Sequence, residues 1–216
     1  MINYNFIICN LSVQPICKNK EGRMSMPFSF IYKTLIQQFL KTRINNKYIE
    51  CTRTKISKLL AIIQMVHIKA MDSIAFQEPI YIDKCGVTIP ALAASGVPYA
   101  ITEEVMPRLF DEDKKYFICN DKLRADMLDT SGYEIPQKYT TEIVNYSEKQ
   151  LEIINNVFLE FGGYESIELG KMLDEFKYDI SDEGNIINTD LLTQCIKSAF
   201  SNKYKDNKII NYIINY

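Results

Sequence analysis

The stretch TKISKLLAIIQMVHIKA, residues 54–70, decides the fold of this chain. At the period of an α-helix its apolar residues form one broad face, and the only histidine of the chain, His67, projects within that face. Three further apolar residues lie outside it: Ile62, Met65 and Ile68. A helix that is apolar on more than one side is covered on more than one side. We therefore predict that residues 55–71 form the central buried helix of the protein.

Further amphipathic patterns surround this helix. Residues 29–43 predict an earlier helix whose buried face includes Ile31, Leu35 and Phe39, and Thr52 or Thr54 can cap the start of the central helix. EPIYID, residues 78–83, alternates like a short strand or one arm of a hairpin. The following CGVTIPALAAS contains a glycine and a proline that we expect to interrupt regular structure, and KKYFICND, residues 114–121, is a second candidate strand.

The last third of the chain predicts four more helices. Ser147 and Gln150 have the spacing of a capping box at the start of one helix. Gly162 and Gly163 are expected to end it in the left-handed conformation, and Ser166 is expected to cap the next. TDLLTQCIKSAF and the tail KIINYIINY have further helical stripes, and the tail could pack on the body of the protein or on a partner, the first being commoner.

These patterns predict a mainly α fold with a minor β component. We expect residues 1–24 to be an N-terminal extension, either a strand and loop or poorly ordered. Residues 25–216 should form a single helical domain that includes a C-terminal helical tail, 205–216.

Composition excludes some classes of function and location. The formal net charge of -2 gives no overall basic character for holding nucleic acid by its phosphates, although a local basic patch is compatible with that total, so DNA binding as the main role is disfavoured. The six cysteines lack the paired spacing of a zinc site or of a small disulfide-bonded domain. No stretch reaches the roughly 18 apolar residues of a membrane span, and FIIC near the N-terminus is too short for a signal peptide. We therefore expect a cytoplasmic protein that does not bind membranes.

Two features carry the hypothesis of an enzyme or metal-dependent protein. His67 stands without a recognisable nucleophile beside it, so a core histidine that bonds a neighbour is the favoured interpretation. The loop DISDEGNIINTD, residues 179–190, places residues at the offsets of a calcium-binding EF-hand: Asp179, Ser181, Glu183, Gly184, Ile186 and Asp190. Several of these are the wrong size or charge for the motif, so a polar turn with Asn188 or Thr189 as a helix cap is favoured. We predict no catalytic residue, cofactor or metal.

The ordered segments resemble the Panacea domain, a family of phage-associated and antitoxin proteins. KISKLLAIIQ, residues 55–64, resembles the KLQKLLY-type helix of that family, and 78–92 resembles its KYGPVVP-type motif through Lys84, Gly86 and Pro90. Residues 147–169 resemble its late helix pair, and EGNI, 183–186, its closing turn. Val87 replaces the usual proline and the chain has no tryptophan, which marks it as a divergent member.

That resemblance implies a non-enzymatic antitoxin that neutralises a cognate toxin by direct binding. Such a toxin is often encoded next to its antitoxin, and some similar proteins act as adaptors that deliver the toxin to an AAA+ protease. A DNA-binding autorepressor is an alternative. Aromatic residues in the middle of the chain are candidate interface anchors: Tyr99, Phe110, Tyr116, Phe117, Tyr133 and Tyr139.

Overall fold

The computed structural model of the protein describes residues 26–41, 43–44, 47–48, 51–83, 86–101, 146–181, 187–197 and 203–216. Within these ranges the chain forms seven α-helices and two short strand pairs, which confirms the predicted mainly α class. The helices are α1 (Phe28–Lys41), α2 (Arg53–Met71), α3 (Pro90–Ala94), α4 (Glu148–Phe161), α5 (Ser166–Asp174), α6 (Thr189–Lys197) and α7 (Lys208–Asn215). The strands are β1 (Arg43–Ile44), β2 (Lys47–Tyr48), β3 (Tyr81–Asp83) and β4 (Gly86–Thr88).

Helix α2 lies at the centre of the fold, as its sequence predicts. Every residue from Lys55 to Ile68 is buried, and the helix contacts all six other helices as well as β4. Thr52 is its N-cap, because the Thr52 side chain accepts from the Lys55 N–H at 3.2 Å. Asp72 ends it in the left-handed conformation with φ of 52°. A helix buried on all sides needs apolar neighbours on all sides, and the other helices supply them.

Helix α1 buries the predicted stripe against α2 and α4. Ile31, Leu35 and Phe39 are buried, and the Phe39 ring meets Phe158 of α4 edge to face with centroids 4.9 Å apart. Phe30 stacks on a tyrosine just before α4 at 4.8 Å. Aromatic pairs therefore join α1 to α4 and to the residue just before α4.

Both strand pairs are antiparallel hairpins. In the second, β3 pairs with β4 in the register Tyr81↔Thr88 and Ile82↔Val87, which agrees with the predicted hairpin. The first pairs Arg43 with Tyr48 and Ile44 with Lys47, and no strand pattern predicted it.

The expected interruption after residue 85 is wrong. Gly86 opens strand β4 with φ of +93°, and Pro90 is the first residue of helix α3. Proline suits that position, because its missing N–H would have no partner there in any case.

The ends of α4 and α5 confirm one predicted cap and correct two. Ser147 and Gln150 form the predicted capping box, with side-chain bonds of 3.2 and 2.8 Å to each other's backbone. Gly162 does not adopt the left-handed conformation, since its φ is −62°. Glycine is required there for space: an added Cβ would lie 2.5 Å from the Phe158 carbonyl oxygen. The N-cap of α5 is Glu165, not Ser166.

The C-terminal helices pack on the core. Asn188 caps α6 by accepting from two backbone N–H groups at 2.9 and 3.0 Å, which agrees with one of the two predicted caps. In α7, Ile209, Ile210 and Ile213 are buried, so the tail packs on the body of the protein as expected. None of the helices in the described ranges is both long and apolar enough to cross a membrane. The predicted extension 1–24 and the candidate strand 114–121 lie outside those ranges.

Candidate functional site

His67 lies in the core and is held by two hydrogen bonds. Its exposed fraction is 0%, its Nδ1 lies 2.6 Å from the Ser73 carbonyl oxygen, and its Nε2 lies 3.2 Å from the Gln150 amide nitrogen. A carbonyl can only accept, so Nδ1 carries the proton and Nε2 accepts from Gln150. Burial lowers the pKa of His67, and the bond to Ser73 opposes that effect. Both ring nitrogens are engaged in holding the core together, which agrees with the structural interpretation of this residue.

Gln64, three residues before His67 on α2, has a similar structural role. Its Oε1 accepts from the backbone N–H groups of Ala75 and Phe76 at 2.8 and 3.3 Å, and its amide donates to the Phe76 carbonyl at 3.2 Å. Gln64 and His67 therefore fix the segment that follows α2 against the central helix. Buried polar side chains at these two positions satisfy backbone groups that would otherwise be buried without partners.

The calcium-like loop begins with a carboxylate that is already engaged. Asp179 accepts from the Lys203 ammonium at 2.7 Å and from the Tyr204 hydroxyl, and these bonds lower its pKa. Ser181 pairs with Ile187 in an isolated β-bridge. The described residues contain no group of three or more histidine, cysteine, aspartate or glutamate side chains that could hold a metal ion. Three predicted loop positions, Glu183, Gly184 and Ile186, lie outside the described ranges.

A buried lysine joins three separate segments of the chain. The Nζ of Lys58 donates to the Ser166 carbonyl at 2.6 Å and to the Ser166 hydroxyl at 3.2 Å. A Cβ at Gly170 would lie 2.9 Å from this Nζ, and one at Gly86 would lie 3.8 Å from Lys58 Cε. The two glycines therefore leave room for the lysine side chain between α2, β4 and α5.

This arrangement has the geometry of a structural bond rather than of a serine–lysine catalytic pair. A lysine that activates a serine must accept the hydroxyl proton. Here Nζ lies closer to the Ser166 carbonyl than to its hydroxyl, and it donates to both. Lys58 therefore ties the start of α5 to the central helix.

Tyr99 is an exposed aromatic residue on a rigid segment. It is 65% exposed, whereas its backbone carbonyl accepts from the Arg53 N–H at 2.8 Å. The Arg53 guanidinium bonds the Val97 carbonyl at 3.0 Å, and Ile101 N–H bonds the Cys51 carbonyl at 2.9 Å. These bonds fix residues 97–101 to the start of α2, so Tyr99 is presented to solvent at little conformational cost. The other predicted anchors lie outside the described residues: Phe110, Tyr116, Phe117, Tyr133 and Tyr139.

Among the residues that the structure describes, three more large apolar side chains are exposed, and no sequence pattern had pointed to them. They are Leu159 at 78%, Ile167 at 68% and Tyr178 at 71%. Leu159 lies outside the buried face of α4, and Ile167 lies outside the buried face of α5. A helical projection centred on each stripe would have found both. Large apolar side chains left exposed in this way are candidate anchors for a partner where several of them lie close together.

A small cleft opens on another face, beside the segment that follows α2. It has a volume of about 350 Å³, and its lining includes Phe76, Ile80 and Leu192 together with Glu78. Burial raises the pKa of Glu78. Glu78 is the one ionisable side chain among the lining residues, so the cleft contributes a titrating carboxyl group rather than a set of reactive residues.

No protein-family model, curated protein or solved structure matches the chain.

Proposed function

We propose that this protein is a cytoplasmic, non-enzymatic interaction module of the Panacea antitoxin type, which neutralises a cognate toxin by binding it directly. Delivery of the bound toxin to an AAA+ protease is a further part of that proposal. The toxin is expected to be the product of a neighbouring gene.

The observation that carries the proposal is the meeting of the Panacea-like segments around one side chain. Lys58 belongs to the KISKLL motif, Gly86 to the segment that resembles the KYGPVVP-type motif, and Ser166 to the late helix pair. The Lys58 ammonium bonds Ser166, and its side chain passes next to Gly86. Motifs that are distant in sequence are thus explained by a single packing arrangement, which supports treating them together as the signature of one fold.

The exposed anchors support binding as the activity. A stable protein interface buries about 1,600 Å² in total, and a few aromatic or large apolar side chains at its centre carry most of the binding free energy. Tyr99 meets this description, because it is exposed and its backbone is fixed by hydrogen bonds to α2.

Co-expression with the product of the neighbouring gene tests the proposal. That product should arrest growth when expressed alone, and this protein should restore growth and form a complex with it that survives gel filtration. Tyr99→Ala should weaken the complex by about 30-fold, the effect of losing an anchor of about 2 kcal/mol, and should leave the melting temperature unchanged. A neighbouring product that is not toxic, or toxicity that persists when both proteins are folded and present, would overturn the proposal.

A further inference from the structure

Acidic charge is concentrated on the α4–α5 hairpin. Residues 148–175 contain seven acidic and two basic residues, a formal net charge of -5, whereas the whole chain carries -2. The remainder of the chain is therefore net positive. A local field of this kind steers and selects a partner of opposite charge even when the total charge is small.

A cleft lies beside this hairpin, between the end of α4, the turn that follows it, and α7. Its volume is about 480 Å³, and it is lined by Glu160 and Lys208, by the rings of Tyr164, Tyr212 and Tyr216, and by two asparagines of α7. The Tyr212 ring meets the Phe161 ring edge to face, with centroids 5.2 Å apart. It also packs at a tilt against the Tyr216 ring, with centroids 5.6 Å apart. The aromatic wall is thus held in position by contacts with the core.

The faces of this wall already attract cations. Lys208 Nζ lies 5.2 Å above the Tyr164 ring, and Lys149 Nζ lies 4.8 Å above the Tyr216 ring. Lys208 also donates to the Tyr164 hydroxyl at 2.9 Å, and Lys149 lies 3.6 Å from a Glu152 carboxylate oxygen.

Glu160 lines the cleft, and Glu152 and Glu168 lie near residues of its wall. Burial, followed by the charges of Tyr216, Glu160 and Glu152, raises the pKa of Tyr212 to about 12. The charges of Glu160 and Glu168 both contribute to raising the pKa of Lys208. Lys208 and Lys149 lie beside these carboxylates, and residues 148–175 as a whole keep a formal net charge of -5.

The most exposed aliphatic side chains flank the same carboxylates. Leu159 directly precedes Glu160 at the end of α4, and Ile167 directly precedes Glu168 at the start of α5. Only a short turn separates the two helices, so both anchors lie at the same end of the hairpin.

We propose that this cleft receives an arginine side chain from a basic protein partner, while Leu159 and Ile167 bury apolar surface of the same partner beside it. A guanidinium group can stack on a tyrosine ring and bond a carboxylate in the same plane, which a more strongly hydrated ammonium does less well. The inference rests on the proposed function, since it describes the partner of the binding module.

A titration with N-acetyl-arginine amide tests the cleft without the partner. Its neutral analogue, N-acetyl-citrulline amide, has the same shape and is the matched control. The arginine compound should shift the NMR signals of Tyr164, Tyr212 and Tyr216 in a saturable manner, and citrulline should not. Glu160→Gln with Glu168→Gln should remove the response, and both glutamines keep the shape of the side chain. No response, or equal responses to both compounds, would overturn the inference even if a toxin complex forms.

A second measurement uses the product of the neighbouring gene. Leu159→Ala with Ile167→Ala should weaken its complex by about tenfold, and so should the two glutamine substitutions, with a smaller dependence on salt. Asp190→Asn, at an exposed position on α6, is the control and should leave affinity within twofold. A complex that the cleft variants leave intact, or a homodimer of this chain that covers the cleft, contradicts the inference. If the cleft binds the arginine compound but the protein forms no complex with that product, the proposed function is contradicted and the inference about the cleft is not.

Discussion

The free energy of unfolding should fall as the pH is lowered from 7.5 to 5.5, and His67 should account for most of that fall. In the folded protein the imidazole is buried, donates to Ser73 and accepts from Gln150, which fits the neutral ring. Burial therefore lowers its pKa in the folded state. In the unfolded chain the same group titrates near its ordinary value of about 6.5.

The sign follows from which state takes up the proton. Well above pH 6.5 the ring is neutral in both states, so His67 adds no pH dependence to the free energy of unfolding there. Below that value the unfolded chain binds the proton and the folded protein does not, so stability is lost as the pH falls towards the folded-state pKa. If His67 stays neutral in the folded protein throughout, the loss between pH 7.5 and 5.5 is about 1.4 kcal/mol, which is the upper limit.

Urea unfolding followed by circular dichroism at pH 7.5, 6.5 and 5.5 and constant ionic strength measures the effect. The chain has a single histidine, so His67→Gln removes every histidine contribution, and its pH dependence should be nearly flat. Glu78 acts in the opposite direction, because its raised pKa lets the folded state bind a proton first as the pH falls. Glu78→Gln is therefore the companion variant, and it should steepen the loss slightly.

Two results would refute this reasoning. One is a Glu78→Gln variant, with His67 intact, whose free energy of unfolding does not change between pH 7.5 and 5.5. The other is an NMR titration in which folded His67 gains its proton near pH 6.5 or above. Either would mean that the imidazole is not held as a buried neutral ring between Ser73 and Gln150.

Four other outcomes are expected. His67→Ala should cost about 2 kcal/mol at pH 7.5 through lost hydrogen bonds and a small cavity, and urea unfolding together with the growth assay should find a weaker protein that still functions. Leu59→Asp should prevent folding, because it buries a carboxylate at the centre of α2, whereas Leu159→Asp at an exposed position should retain the native circular dichroism. Gly162→Ala should cost about 1–3 kcal/mol of stability from the clash with the preceding turn. In thermal unfolding, Gly163→Ala at the neighbouring exposed position should leave the melting temperature nearly unchanged. Calorimetry should find no calcium binding tighter than millimolar, because the Asp179 carboxylate already accepts from an ammonium and a hydroxyl; a saturable micromolar site would contradict this.

Local patterns predicted the helices well because each pattern reports directly on burial. The stripe of α1, the capping box of Ser147 and Gln150, and the paired isoleucines of α7 all lie where their spacing placed them. The errors concern positions where backbone geometry depends on a neighbour. Gly162 was expected to turn the chain, but the space next to Phe158 is what requires a glycine.

The candidate site was only partly predictable for the same reason. Tyr99 could be singled out as an aromatic residue, but its exposure depends on hydrogen bonds to Arg53. Tyr212 and Tyr216 are far from Glu160 in sequence and line the same cleft only through packing.

The residues of α2 were sufficient to establish a mainly helical protein around a central helix. Apolar side chains on several faces of a helix must be buried, and this holds whichever elements pack against them. Which elements cover it was decided by tertiary structure alone. Lys58 illustrates the difference: in sequence it is a polar residue on a helix, and in the fold it is buried, bonded to Ser166 and accommodated by Gly86 and Gly170. The physical reason is that burial of a charge depends on donors, acceptors and free space contributed by distant segments, and no local period records them.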